Sequence, residues 1–495
     1  MNNKIKAAKS IAFLEMMLRK EKTAMVHKRV AVIGAGCSGI TTIKNLLQAG
    51  VTDVVCYEQN SEVGGNWIYS PQESHSSVCE TTHIISSKKM SEYIDFPMPD
   101  AYPDYPSHEQ VLTYFQSYAE HFGLYPYIRF HTRVEKVEKI TSERWQLTLG
   151  TGEVEVFDYL FIANGHHNVP RHPELPGTFT GNYLHSHQYK NAAPFKDQRV
   201  LVIGAGNSGC DCSVEISRTA KFVAISLRRA QYIVPKFFLG KPSDVCNHSI
   251  HWLPTPVADF LRRLSLRIQV GKYSNYGLPQ PDFSMLRAHP TMNSELLFRI
   301  RHGKVHPRAG IEHIEGKEIT FHDGKKEVFD TIVAATGYKI SLPFFDKNFI
   351  CYEEADRVPL YLRIFHADHP TLAFIGLFQP QGAIWPAADY QAKLAANYVM
   401  GRWKMPANIK TLCEKDADFI DKKFLASKRH SIEVHFQPFL KKLKREAEKG
   451  SGPVVFGTKF APEKPGNLGK MGGVALWTRS CHSVSHGSSS PQDTP

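Results

Sequence analysis

One local pattern occurs twice in the chain, and no other feature restricts the possible folds as tightly. Apolar residues from Arg29 to Ile33 run into Gly34-Ala35-Gly36-Cys37-Ser38-Gly39, after which Ile40, Ile43, Leu46 and Leu47 recur at helical spacing. Val200 to Ile203 runs in the same way into Gly204-Ala205-Gly206-Asn207-Ser208-Gly209 and a helical stretch to about Arg218. A strand, a glycine turn and a helix in this order make a seat for a dinucleotide. The first glycine makes the turn, the second admits the pyrophosphate, the third lets helix pack on strand, and the helix N-terminus faces the phosphates.

The next strand of each unit separates the two seats. The strand from Asp53 to Tyr57 is closed by Glu58, about twenty residues beyond the first turn, where a carboxylate accepts hydrogen bonds from ribose hydroxyls. This selects an unphosphorylated ribose, as in FAD or NAD. The strand from Phe222 to Leu227 ends instead in Ser226-Leu227-Arg228-Arg229, and guanidinium groups there suit a 2′-phosphate, as in NADP. One bound redox cofactor and one diffusing reductant are therefore expected. Gly64-Gly65-Asn66-Trp67 adds a second place where backbone and an aromatic ring can approach a flat cofactor.

Two more apolar runs end in small residues, Tyr159 to Gly165 and Thr331 to Tyr338. They read as the two crossings between a discontinuous first domain and a second inserted into it. The expected fold is α/β, with two dinucleotide-binding, Rossmann-like, three-layer domains. The expected boundaries are a basic leader at 1–28, an FAD domain at 29–168 and 338–445, an NADPH domain at 169–337 and a flexible tail at 446–495. Further expectations are a strand from Thr371 to Leu377 and a helix from Pro386 to Arg402.

Composition removes other classes. Hydrophobic residues at 42% and charged residues at 22% describe ordinary globular material. Nine scattered cysteines without a CxxC pair argue against disulfide redox chemistry and against a zinc site, and favour a reducing, cytoplasmic setting. No run of eighteen apolar residues exists to cross a membrane. The formal charge of +12 gathers substantially in the leader and in Lys441-Lys442-Leu443-Lys444-Arg445, a solvated helix face, which gives nucleic-acid binding no support. The leader is too broken for a secretory signal and reads as an amphipathic surface helix.

Between the two glycine turns lies Phe179-Thr-Gly181-Asn-Tyr-Leu-His185-Ser-His-Gln-Tyr189, which resembles the FxGxxxHxxx(Y/F) signature of the flavin-containing monooxygenases. The likeness extends from about Arg29 to about Lys442 and includes Gly64 to Trp67, Asp95-Phe96-Pro97, Ala335 to Tyr338 and Gly376-Leu-Phe-Gln379-Pro380. It implies an FAD enzyme reduced by NADPH, or by NADH, whose C4a-(hydro)peroxyflavin oxygenates soft nitrogen or sulfur centres of a small molecule with O2. The flavin contacts expected on this basis are Gly34, Gly36, Ser38, Gly39, Glu58, Gln59, Gly65, Asn66, Trp67, Val134 and Gln379. Those expected for NADP are Gly204, Gly206, Asn207, Ser208, Gly209, Ser226, Arg228 and Arg229. His185 is expected to couple the domains rather than to exchange protons, and no metal is expected. A homodimer is left open.

One departure bears on the chemistry. The family's T/S-N-x-S/P-K run corresponds here to His83-Ile84-Ile85-Ser86-Ser87-Lys88, so Ile85 stands where the resemblance places an asparagine that helps hold the flavin peroxide and NADP. His83, Ser86 and Ser87 are the candidates to replace it. Baeyer-Villiger oxygenation of ketones is the first alternative, although Tyr189-Lys190 replaces the Trp-Pro or Trp-Asp typical of those relatives. A flavoprotein NADPH oxidase or scaffold without productive oxygenation is the second. The family's microsomal members end in a hydrophobic anchor, whereas this chain ends in a polar segment, so a soluble protein is expected.

Overall fold

In both glycine-turn units, the strand assigns alternate side chains to two different cores. The computed structural model describes residues 28–424 and 431–449. In the strand Arg29–Ile33, Val30 and Val32 join a core shared with helices, while Ala31 and Ile33 join a core shared with an antiparallel sheet. In the strand Arg199–Ile203, Val200 and Val202 face helices, while Leu201 and Ile203 face a second, mainly antiparallel sheet. Both strands are buried on both faces, which is why each reads as a continuous apolar run.

The first sheet has seven strands, in the order Leu360–Tyr361, Phe365–His366, Leu372–Phe374, Tyr159–Ile162, Arg29–Ile33, Asp53–Tyr57 and Ile128–Arg129. Arg29–Ile33 pairs in parallel with both neighbours, Val30 lying opposite Val54 on one side and Tyr159 on the other. The helices Cys37–Ala49 and Trp385–Val399 pack together in the core on one face. The three-stranded sheet Val134–Thr141, Arg144–Leu149 and Val154–Phe157 covers the other.

The second sheet is parallel throughout, in the order Asn182–His185, Thr331–Ala334, Arg199–Ile203, Phe222–Ser226 and His306–Arg308. The helix Asn207–Ile216 lies on one face, and a four-stranded sheet built mainly from Ile311–Gly316 and Glu318–Phe321 lies on the other. Each unit therefore has three layers: helices, a central sheet that is parallel around the glycine turn, and a second, mainly antiparallel sheet. The chain passes between the two sheets on a two-stranded ribbon, in which Val169 pairs with Lys339 and Pro170 with Tyr338.

Some boundaries differ from the sequence expectation. The strand expected over 371–377 is confined to Leu372–Phe374, because Gly376 turns the chain at φ +81° and its N–H donates to Gln391 Oε1 at 2.9 Å. The helix expected to reach Arg402 stops at Val399, just before Gly401 at φ +69°. Residues 446–449, expected in the tail, belong to the helix Phe436–Lys449, in which Glu446 and Ala447 are buried. The leader helix and the rest of the tail lie outside the described residues.

A buried ion cluster joins the two helices of the first unit. Lys44 Nζ, 3% exposed, lies 2.9 Å from Asp389 and 2.7 Å from Asp95. Burial alone depresses the ammonium's pKa, but Asp389 and Asp95 more than offset this and the net shift is upward, so Lys44 stays charged. Asp389 Oδ1 also accepts from Thr41 and from Asn45 Nδ2.

Candidate functional site

Both glycine turns are closed from beneath by a crossing strand. Gly34 has φ +100°, and a Cβ there would lie 2.7 Å from Ala163 O. Gly204 has φ +103°, with the same conflict at 2.6 Å from Ala335 O. The third glycines leave no room for a side chain at all, since a Cβ would lie 1.8 Å from Gly34 O at Gly39 and 2.0 Å from Gly204 O at Gly209. These positions serve helix-on-strand packing.

Gly36 is of a different kind. Its backbone is extended at φ −75°, and the nearest protein atom to a Cβ there would be Gly65 Cα at 3.5 Å. Gly65, at φ +55°, faces it from the Gly64–Trp67 turn, with its own Cβ position 3.0 Å from Gly36 Cα. The two backbones thus form one wall of a cavity of about 450 Å³. That opening suits a pyrophosphate, because a side chain at Gly36 would fill space that the protein itself leaves unused.

Glu58 lies farther along the same cavity, almost fully buried. Its Oε2 accepts from the Ala35 N–H at 2.7 Å, and its Oε1 accepts from the Asn60 N–H and side-chain amide at 2.9 and 2.8 Å. A carboxylate offers about four lone-pair sites, so the group is held in place by protein donors and keeps capacity for a ribose hydroxyl. The residues present therefore fit an adenine dinucleotide with an unphosphorylated ribose.

Among the expected flavin contacts, Gly34, Gly36, Ser38, Glu58, Gln59, Gly65, Asn66, Trp67, Val134 and Gln379 line the cavity, and Gly39 does not. Asn66 Oδ1 is occupied by the Ser77 N–H and hydroxyl at 2.8 and 3.0 Å, which makes it a support for the wall. Trp67 meets Trp385 edge to face at 5.8 Å between ring centres. Asn207 and Ser208 reach the cavity from the second turn. Gly204, Gly206, Gly209, Ser226, Arg228 and Arg229 stand apart from it. Ser226 Oγ donates to Ala309 O at 2.7 Å, and Arg228 and Arg229 are exposed with no ion pair among the described residues.

The candidates to replace the absent asparagine divide. His83 and Ser86 line the cavity beside Ile85. His83 is exposed, and its Nδ1 lies 2.8 Å from Thr81 O, while Ser86 Oγ lies 2.8 Å from Ser91 Oγ. Ser87 departs from the expectation, because it does not line the cavity. It is buried, its N–H donates to Asp244 at 2.6 Å, and it opens the short helix Lys88–Ser91, whose direction turns its side chain away.

The segment that carries the signature also lies behind the cavity wall. His187 Nε2 lies 2.8 Å from Ser74 O, Lys190 Nζ donates to Ser76 O at 2.7 Å, and the Glu80 N–H donates to Lys190 O at 2.9 Å. The segment thereby staples the loop that carries Ser77 to Cys79 against the cavity. His185 is fully buried, and its Nδ1 accepts from the His187 N–H at 3.1 Å. Burial, reinforced by His172 and His187, pushes its pKa down to about 4, so the ring is neutral near pH 7.

Sequence reasoning missed several polar groups of the wall, among them His166, His167 and Asp211. His166 Nε2 lies 3.2 Å from Gln379 Oε1, and burial lowers its pKa. Asp211 Oδ1 accepts from Asn293 Nδ2 at 2.7 Å, and burial pushes its carboxyl up to about 6 against the pull of Lys236 and that hydrogen bond. Asp211 was visible in principle, standing four residues after Asn207 and so on the same helix face.

The sequence profile of the flavin-binding monooxygenase-like family matches residues 27–455. Flavin-containing monooxygenase 5 of Rattus norvegicus is 37% identical over 433 residues, covering 83% of this chain and 80% of its own length. Among solved structures, S-allyl-L-cysteine S-oxygenase from Allium sativum is similar with a TM-score of 0.65 at 24% identity, over 85% of this chain and 88% of that one. The open form of cyclohexanone monooxygenase has a TM-score of 0.64 at 17% identity, over 86% and 98%. With paired glycine turns on one frame, a cavity beginning at the first of them and a family match across nearly all the described residues, the chain belongs to the flavin-containing monooxygenases, a family of flavoprotein oxidoreductases.

Proposed function

We propose that the chain is an FAD-dependent, NADPH-consuming monooxygenase that oxygenates soft nucleophilic nitrogen or sulfur centres of small molecules. The observation that carries the reading is a single cavity, lined at one end by Gly36, Glu58 and Gly65 and at the other by Asn207, Ser208 and Asp211. A flavin held at the first turn and a nicotinamide held at the second would meet there. In this reading 29–168 and 338–445 form the FAD domain and 169–337 the NADPH domain.

Bound and reduced flavin supplies the activation of O2. The residues of the chain do the rest. Gly36 and the N-terminus of the helix Cys37–Ala49 would hold the pyrophosphate, and Glu58 would orient the ribose. Trp67, Trp385 and Ile85 exclude water. Gln379, paired to neutral His166, would offer its amide to a flavin bound in the cavity. The protein works in the cytoplasm, a placement supported by the free state of its eight described cysteines.

Incubation with NADPH and 18O2, in separate reactions with a thioether, a tertiary amine and a cyclic ketone, tests this. The expected products are the labelled sulfoxide and N-oxide. Hydrogen peroxide alone from every reaction would refute oxygenation and leave an oxidase. Labelled lactone from the ketone instead would establish the second reading, Baeyer-Villiger oxygenation, which is favoured by the apolar Ile85 in the cavity wall and by the fold likeness to cyclohexanone monooxygenase.

Two variants probe the second turn and the departure. Arg228→Ala with Arg229→Ala is expected to raise the KM for NADPH about tenfold or more while leaving that for NADH nearly unchanged, since each charge-assisted hydrogen bond contributes about 1.5–3 kcal/mol. Equal changes for both coenzymes would remove the phosphate-reading role. Ile85→Asn puts an amide on a half-buried position of the wall, so it is expected to fold and to release less hydrogen peroxide per NADPH oxidised. If the ratio stays constant in this variant but climbs in His83→Ala, the duty belongs to His83.

A further inference from the structure

The strand Phe222–Ser226 ends where the ribose of a dinucleotide seated on the second glycine turn would lie, and its last hydroxyl is already engaged. Ser226 Oγ donates to Ala309 O at 2.7 Å, so the proton that could reach a 2′-phosphate is committed to the protein. The neighbouring strand His306–Arg308 fixes this end, with Ser226 opposite Arg308 and the Leu227 N–H donating to Arg308 O at 3.1 Å. Arg308 is itself neutralised by Glu327, which accepts from its Nε and Nη2 at 3.0 and 2.6 Å. Of the arginines at this strand end, Arg228 and Arg229 are left exposed and without an ion pair among the described residues.

A further donor reaches the same place from the covering sheet. Beyond Arg308 the chain runs through Ala309 to buried Gly310, whose carbonyl accepts from the His322 N–H at 2.9 Å. A Cβ at Gly310 would lie 3.0 Å from His322 Cδ2, 3.5 Å from His322 Nε2 and 3.5 Å from Arg228 Cγ. The imidazole edge that carries Nε2 and the stem of Arg228 therefore converge on one glycine. The backbone of Gly310 does not enter the left-handed region, so it is this convergence that leaves little room for a side chain.

His322 is exposed, and its ring makes no hydrogen bond or ion pair among the described residues. The carboxylates close to it in the chain are engaged elsewhere, Asp323 with Lys325 at 3.1 Å and Glu327 with Arg308. An imidazole donates through Nε2 in one neutral tautomer and through both nitrogens when protonated. Two guanidinium groups and an imidazole without anionic partners, gathered at one strand end, suit a phosphate ester.

We propose that His322 is a third reader of the 2′-phosphate of NADPH, donating from Nε2 beside Arg228. This rests on the reading that the second glycine turn holds the nicotinamide dinucleotide. It gives the covering sheet a part in coenzyme choice, in place of the Ser226 hydroxyl that the strand itself has spent. His322 acts on coenzyme affinity and takes no part in oxygen transfer.

Calorimetric titration of the holoenzyme with adenosine 2′,5′-bisphosphate and with AMP tests the proposal, because the ratio of the two dissociation constants isolates the 2′-phosphate. Wild type is expected to prefer the bisphosphate by about a hundredfold or more, the effect of several charge-assisted contacts. His322→Ala alters an exposed side chain, which spares the fold, and is expected to lower the preference about tenfold while leaving AMP affinity unchanged. His322→Arg is expected to restore it, which a merely structural role would not allow. A preference in His322→Ala equal to that of wild type, alongside its loss in Arg228→Ala with Arg229→Ala, would overturn the role of His322 and leave the arginines as the readers. Equal losses for both nucleotides in His322→Ala would also overturn it, since the ring would then support the site without touching the phosphate. Wild type that binds the two nucleotides equally would overturn it together with the assignment of NADPH.

Discussion

Gly36→Val is expected to yield a folded protein that purifies without flavin. The backbone at Gly36 is extended, at φ −75° and ψ −170°, a conformation open to any residue. A Cβ there meets only Gly65 Cα, at ordinary contact distance of 3.5 Å, so no strain arises in the protein itself. The added methyl groups instead occupy the space in which a pyrophosphate would rest against the helix N-terminus. Flavin absorbance after purification should fall more than about tenfold, as expected when a ligand loses a charge-assisted contact of about 1.5–3 kcal/mol and meets a steric block. Circular dichroism should remain that of the flavin-free wild type. Gly39→Ala is the control with the opposite outcome: its Cβ would lie 1.8 Å from Gly34 O, so this variant should lose solubility as well as flavin. A yellow Gly36→Val protein at full occupancy would show that the pyrophosphate lies elsewhere.

Lys44→Met should cost about 3–5 kcal/mol of stability, the usual penalty for removing one partner of a buried ion pair. Lys44 balances Asp389 and Asp95 from inside the helix Cys37–Ala49, and Asp389 is 7% exposed at its side chain. Methionine matches the lysine stem in volume, so the loss arises from charge and not from a cavity. The measurement is the urea midpoint of the flavin-free protein, followed by the double variant with Asp389→Asn. Partial recovery in the double variant is expected, because the stranded carboxylate is then gone. Additive losses would mean that Lys44 and Asp389 do not stabilise each other.

The ends of elements were harder to read than their middles. The strand at Leu372–Phe374 is only three residues long, although Leu377 continues its apolar run, because Leu377 is buried by packing after the chain has turned at Gly376. Apolar character reports burial, and burial does not require a ladder. Ser87 shows the same limit at the site. It adjoins the cavity-lining residues in sequence, but a helix begins at Lys88 and redirects it into the protein.

The two glycine turns, the carboxylate after the first, the arginines after the second and the three-layer α/β plan were all legible in the order of residues. These are local features, in which a residue type is demanded by neighbours a few positions away, as at Gly39, where Gly34 O leaves no room for a Cβ. Long-range packing was needed to bring Ala163 and Ala335 beneath the turns, to set Lys190 and His187 against the loop at Ser74 to Ser76, and to bring His166 and Asp211 into the same cavity. Packing also left one apolar face of Thr255–Val270 uncovered. Those contacts join residues far apart in the chain, and a hydrophobic stripe has the same period whether or not it is covered. Whether it is covered depends on how the rest of the chain packs, and no local pattern records that.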